Sequence, residues 1–234
     1  MSTLYMVATP IGNLDDITIR ALNVLKSVDV IACEDTRHTS LLLSHYDIKK
    51  RTIACHAHNE EASSKGIIAL LDQGQSVAYC SDAGTPGISD PGARLCENVR
   101  NAGHDIVPIP GASAVITLLS CAGNVGKTFT FEGFLSPKKG RRTKRLTQLL
   151  EREETFIFYE SPFRIVKTLK EIEELMPNAR ITMGRELTKA FEEIKVDSVS
   201  NIIKILESRD SIKGEFAVAV TPCMVSDDDN SEED

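Results

Sequence analysis

The residues best equipped for chemistry lie in SDAGTPGISDPG, positions 81–92. Gly84, Gly87 and Gly92 tolerate positive φ and let backbone approach a ligand closely, while Pro86 and Pro91 stiffen the segment. Asp82 and Asp90 offer carboxylates to ribose hydroxyls or to an amino group. An ordinary structured turn is the plainer alternative, but twelve rigid residues are more than a connection needs. In VPIPGASA, residues 107–114, Gly111 and Ala112 leave room near the backbone and Ser113 is placed to cap a following helix. ATPIGNLDD, residues 8–16, lacks the GxGxxG spacing, so a dinucleotide-binding site has little support.

Polar groups suited to proton transfer and phosphate binding cluster in two further motifs. ACEDTR supplies Glu34, Asp35 and Arg37, and CHAHNE supplies His56, Asn59 and Glu60. The bland reading is that several of these residues only build loop hydrogen bonds or salt bridges. Two near-misses fall away. CAGNVGKT, residues 121–128, has a cysteine where the phosphate-loop motif needs its first glycine, and strand-like FTFEGF follows where a helix should. His58-Asn59-Glu60 matches half of a zinc deaminase signature, but no PCxxC partner exists. The six cysteines form no CxxC pair and read as reduced small hydrophobes, so no metal is expected.

These loops need strands and helices to hold them. The 234 residues are 41% hydrophobic and 26% charged, the mix of a soluble globular protein. No long uncharged apolar run suggests a membrane span, and MSTLYMVATPIG reads as a first strand rather than a signal peptide. Strand-like stretches are expected at 4–8, 30–33, 52–55, 76–80 and 106–108, then at 128–134, 155–159, 180–183, 193–196 and 215–220. Helices are expected after an Asp15 or Asp16 cap, at 60–72 and 91–102, after the 138–145 segment, from Ser161-Pro162, and at 201–207. Phe163, Val166, Leu169, Ile172 and Leu175 would form the buried stripe of the helix after Pro162. The alternation predicts an α/β protein of two α/β domains: 1–122, carrying the glycine-rich loops, and 123–225, followed by an acidic tail at 226–234.

Net charge is −7, but the terminal DDDNSEED contributes six acids, so the body is nearly neutral. Such a run reads as a solvated, disordered tail. The opposite pole is SPKKGRRTKRL, where Lys138, Lys139, Arg141, Arg142, Lys144 and Arg145 fall within eight residues. Charge runs of this kind are usually solvated faces. Here the segment reads as a mobile connector before a charged helix.

The motifs ATPIGNLDD, ACEDTR, CHAHNE, SDAGTPGISDPG, VPIPGASA, FEGFL and YESPFR stand in the order and spacing of the tetrapyrrole-methylase superfamily. Over residues 4–221 the chain resembles the branch that methylates RNA of the small ribosomal subunit. The resemblance implies a two-domain fold with S-adenosyl-L-methionine in the cleft between the domains. It also implies 2′-O-methylation of a cytidine ribose in 16S rRNA and a homodimer, and the scattered, reduced cysteines read as those of a cytoplasmic protein. Carried over by motif, Pro10, Asp82, Ala83, Gly84, Ile88, Ser113 and Ala114 should contact the cofactor, as should Tyr159 and Glu160 of YES. Many relatives continue past the final strand with a small helical segment, whereas here GEFAVAV is followed by TPCMVSDDDNSEED. If that segment holds RNA in relatives, other surfaces must recruit it here.

A ribose hydroxyl is a poor nucleophile until its proton is removed, and Glu60 or Asp35 is the favoured assisting carboxylate. Glu34 and Asn59 would contact the nucleotide, Arg37 or Arg164 would hold a phosphate, and the basic segment 138–145 would meet further phosphates. The rival functions are a methylase of a tetrapyrrole or other small substrate, and an RNA-binding protein that has lost catalysis.

Overall fold

The structure, a computed structural model, describes residues 2–56 and 60–222. Asn59 and the acidic tail lie outside the described residues. The chain divides into two units, Met1–Ser113 and Ala114–Asp234.

The first unit is a parallel sheet covered on both faces. Its strands are β1 (Thr3–Val7), β2 (Val30–Cys33), β3 (Arg51–Ala54), β4 (Val77–Cys80) and β5 (Asp105–Ile109), in spatial order β3-β2-β4-β1-β5. Its helices are α1 (Ile19–Ser27), α2 (Thr36–His45), α3 (Glu60–Asp72) and α4 (Ala93–Asn101). VIAC and VAYC are apolar throughout because a central parallel strand is buried on both sides. Alternation along β1 sends Leu4 and Met6 to the layer holding Ile67 and Leu71 of α3 and Leu95 and Val99 of α4. Val7 goes to the opposite layer, with Ala21 and Leu25 of α1 and Leu43 of α2. Since every strand pairs in parallel, the loops that follow them all emerge at one edge.

The second unit carries α5 (Ala114–Leu119), α6 (Lys139–Leu150), α7 (Ile165–Leu175) and α8 (Val199–Glu207). Its strands are β6 (Phe129–Phe134), β7 (Thr155–Glu160), β8 (Arg180–Arg185), β9 (Glu193–Ser198) and β10 (Phe216–Thr221), ordered β6-β7-β10-β8-β9. Only β6 and β7 run parallel; the remaining pairs are antiparallel. Leu146, Leu149, Ile165, Leu169, Ile202 and Leu206 of α6, α7 and α8 bury one face, against Phe156, Phe158, Val218 and Val220.

Several expectations are corrected. The boundary lies at 113/114, not 122/123, because α5 packs on β8 and β10. Gly184 of β8 makes that packing possible, since a Cβ there would stand 2.8 Å from Leu118 Cδ1. The first helix is capped not by Asp15 or Asp16 but by Thr18, whose hydroxyl accepts the Ala21 N–H at 3.1 Å. Extended Ile17 separates it from a 3-10 turn over Leu14–Asp16 that Asn13 caps. Helix α7 begins at Ile165, which leaves Phe163 94% exposed instead of in the buried stripe. Helix α2 has no counterpart among the expected helices, because its polar opening, TRHTS, hides the short apolar face of Leu42 and Leu43.

The basic stretch is also not a connector, since α6 begins at Lys139. Arg142 is only 2% exposed. Its Nε donates to Glu171 Oε2 at 2.9 Å, Nη2 pairs with Oε1, and Nη1 reaches the Ser136 and Pro137 carbonyls at 3.1 Å. Truncating one partner of a buried pair strands the other charge. Arg142→Met should therefore lower stability in denaturant titration by about 3–5 kcal/mol, with most of it restored in Arg142→Met/Glu171→Leu.

Candidate active site

The loop after β4 occupies the middle of the carboxyl edge, between the ends of β1 and β2. It is tied to both neighbours. Thr9 and Gly84 exchange two backbone hydrogen bonds, at 2.9 and 3.0 Å, and the Thr9 hydroxyl donates to the Ser81 carbonyl. On the other side the Asp35 N–H donates to Asp82 Oδ1 at 3.0 Å. The Thr85 hydroxyl joins the loop to the Ala112 carbonyl of PGASA.

Glycine is required where these segments touch. Gly84 sits at φ +76, and a Cβ there would stand 3.3 Å from Ile11 Cγ2. A Cβ on Gly92, at φ +130, would meet Tyr79 and Met6 at 3.0 and 3.1 Å. These contacts bring the loop backbone close against its neighbours, while Ala83 and Ile88 are exposed, Ile88 at 62%. Pro10 is buried, and Ser113 and Ala114 are half-buried.

The carboxylates at this edge divide by what already holds them. Asp35 caps α2 through the Arg37 N–H at 2.8 Å and pairs with the Arg37 guanidinium at 2.7 Å. Those bonds hold its carboxyl far below the usual range, which makes it a very weak base. Glu60 is engaged as well: its Oε1 accepts the Gly92 and Leu95 N–H groups at 2.9 and 3.1 Å. It caps α4 from another element, because Gly92 at the N-cap has no side chain to do so. Neither favoured carboxylate has the freedom of a general base.

Glu34 does. Among the described residues its hydrogen bond is one long contact, 3.5 Å, from the Asp82 N–H. Burial pushes its carboxyl up, against the pull of that N–H, and the Asp82 and Asp90 carboxylates push the same way. Asp90 is raised too, first by burial and then by Asp82. Glu34, Asp35, Arg37, His56 and Asp82 line an open cavity of about 430 Å³ beside the loop. Arg37 projects from its wall with its side chain 90% exposed.

In the second unit several candidates turn inward. Glu160 is buried and accepts from Ser161 N and Thr168 Oγ1 at 2.9 Å and from Arg164 Nη2 at 3.0 Å. Arg164 also donates to the Leu135 carbonyl at 2.7 Å, so it clamps two loops together instead of waiting for a phosphate. Arg145 pairs with Glu132 at 2.6 Å, and Arg142 is enclosed as described. Of the basic run, Lys138, Lys139, Arg141 and Lys144 stay exposed. Tyr159 is half-buried, with Phe131 and Phe134 set edge-on at 5.0 and 5.5 Å.

Residues 3–203 match the family of tetrapyrrole (corrin/porphyrin) methylases. The ribosomal RNA small subunit methyltransferase I of Pasteurella multocida is 49% identical over 93% of this chain and 78% of its own. The Borrelia garinii protein of that name is 44% identical over 93% of this chain and 98% of its own. The chain belongs to this family. Within it the chain is a ribosomal RNA methyltransferase, and the fold extends to distant structures. Diphthine synthase superimposes with a TM-score of 0.71 at 16% identity, covering 94% of this chain and 90% of that one. Uroporphyrin-III-C-methyltransferase from Thermus thermophilus gives 0.63 at 18% identity over 94% of each. Among the described residues no helix is long and apolar enough to cross a membrane.

The capping role of Glu60 has a stability consequence. Glu60→Ala should cost about 1 kcal/mol, the usual scale of a lost helix cap, and thermal unfolding measures it. Glu60→Gln keeps an acceptor oxygen and should cost less.

Proposed function

We propose that the protein moves the methyl group of S-adenosyl-L-methionine to the 2′-oxygen of a cytidine ribose in 16S rRNA, as a cytoplasmic homodimer. The observation that carries this reading is the loop of residues 81–92, laid across the carboxyl end of the parallel sheet and pinned to β1 through Gly84. Its glycine-lined backbone, the exposed Ala83 and Ile88, and the half-buried Ser113 suit a nucleoside-sized ligand whose ribose hydroxyls need the Asp82 or Asp90 carboxylates. Bound there, the cofactor supplies an electrophilic methyl on a sulfonium.

This chain's own groups prepare the nucleophile. Glu34 takes the proton from the 2′-hydroxyl as the oxygen accepts the methyl. Its carboxyl, raised by burial, is a stronger base than an ordinary carboxylate, which favours that transfer. Arg37, its guanidinium oriented by Asp35, holds the adjacent phosphate. Asp35 is thereby a positioning residue and Glu60 a structural one.

The test is transfer of labelled methyl from S-adenosyl-L-methionine to small-subunit particles, followed by alkaline hydrolysis. A methylated 2′-oxygen cannot attack its phosphorus, so the label should survive in a dinucleotide containing 2′-O-methylcytidine. Label recovered wholly in mononucleotides would overturn the 2′-O assignment.

Glu34→Gln should slow transfer at least 100-fold, the lower range for a lost general base. Cofactor affinity by calorimetry should be unchanged. Protonated Glu34 cannot accept a proton, so wild-type turnover should fall as pH drops through its raised pKa. The shift moves that acid limb upward from the ordinary glutamate value, and the Gln variant should lack it. Unaltered turnover in this variant would move the base elsewhere.

A further inference from the structure

Four cations of the basic run remain exposed on or beside the first turns of α6, and among the described residues none of them makes a salt bridge. The run contains no aromatic residue, but the fold brings aromatics to it from two other segments. Phe134 closes β6 and is 65% exposed; Phe163 follows β7 and is 94% exposed. Because β6 and β7 run parallel and adjacent, the chain leaves both at the same edge. Arg164 fixes those exits against each other by donating to the Leu135 carbonyl, which holds the residue after Phe163 to the residue after Phe134. Lys138 stands three residues beyond Leu135, and Arg142 anchors the intervening Ser136 and Pro137 carbonyls from below.

The edge is therefore a rigid mount for exposed rings beside unpaired cations. Phe134 is steadied by its edge-on contact with Tyr159. An exposed phenylalanine loses favourable burial, and the neighbouring lysines deter another apolar surface from covering it. Bases presenting flat π-faces on a polyanionic backbone satisfy both halves at once.

We infer that Phe134 and Phe163 are a stacking platform for unpaired bases of the RNA substrate, with Lys138, Lys139 and Arg141 holding the flanking phosphates. This inference rests on the RNA reading above and specifies which part of that RNA is bound: a single-stranded segment. Duplex RNA hides its base faces and would not engage the rings.

The test measures affinity of the full protein for a single-stranded oligoribonucleotide of mixed sequence, and for the same strand annealed to its complement. Phe134→Ala and Phe163→Ala should each weaken single-strand binding roughly tenfold, within the range for removing one ring from under a base. The slope of log K against log salt should not change. Lys138→Gln/Lys139→Gln/Arg141→Gln should instead make that slope shallower, by about one unit for each phosphate no longer neutralised. Phe134→Leu keeps an apolar side chain without the ring and should resemble the Ala variant, which separates stacking from packing. Wild-type affinity in both Phe→Ala variants, or equal binding of the duplex, overturns the platform. So does a shift from dimer to monomer in light scattering, which would make the rings a contact with a second copy. If the wild-type protein methylates small-subunit RNA while the Phe variants bind normally, the platform fails and the enzyme assignment stands. If the wild type methylates no RNA, the assignment itself fails.

Discussion

The first unit depends on where β4 sits. The chain runs outward from β1 to β2 and β3, then returns to place β4 between β2 and β1. In a parallel sheet this puts the loop after β4 in the middle of the carboxyl edge, with the ends of two other strands beside it. The two hydrogen bonds between Thr9 and Gly84 then fix its height, and the bond from Asp35 N–H to Asp82 fixes its side. A side chain at Gly84 would force Ile11 away and resist the positive φ, so one glycine couples strand order to loop position. A ligand surface built this way needs no large cavity. It needs backbone held in place.

The same edge shows how burial and hydrogen bonding sort like groups into different roles. Glu34, Asp35 and Glu60 all stand near strand ends or the helices that follow them. Asp35 is stabilised as an anion by a guanidinium and a backbone N–H, whereas Glu60 is occupied by two N–H groups at the start of α4. Glu34 lies among other carboxylates in a partly buried position, where its charge is least favoured. A proton acceptor must be able to carry the proton it takes, so weak stabilisation of the anion is the useful property.

In the second unit, charge is used first to build and only then to present. Arg142 with Glu171, Arg145 with Glu132 and Arg164 with Glu160 are internal ties that hold α6, β6 and the loop after β7 in place. The cations left outside stand at the first turns of α6, where positive charge opposes the helix dipole. Such an arrangement contributes little to folding, and it suits an anionic partner.

Much of this was legible in the residues themselves. Apolar runs bounded by turns located the strands, because VIAC and VAYC are too short for a helix and must be buried on both faces. The glycine spacing in residues 81–92 marked the loop, because positive φ is a local backbone property. The family motifs named the chemistry. Strand order, the boundary at 113/114 and the fate of each charge were not legible, since they depend on contacts between residues far apart in sequence. Asp35 and Glu60 looked at least equal to Glu34 until Arg37 and the start of α4 were seen to hold them. Arg142 looked like its exposed neighbours until Glu171, twenty-nine residues away, enclosed it. Phe163 looked like a core residue, because periodicity counts apolar side chains but cannot say which ones the fold leaves uncovered.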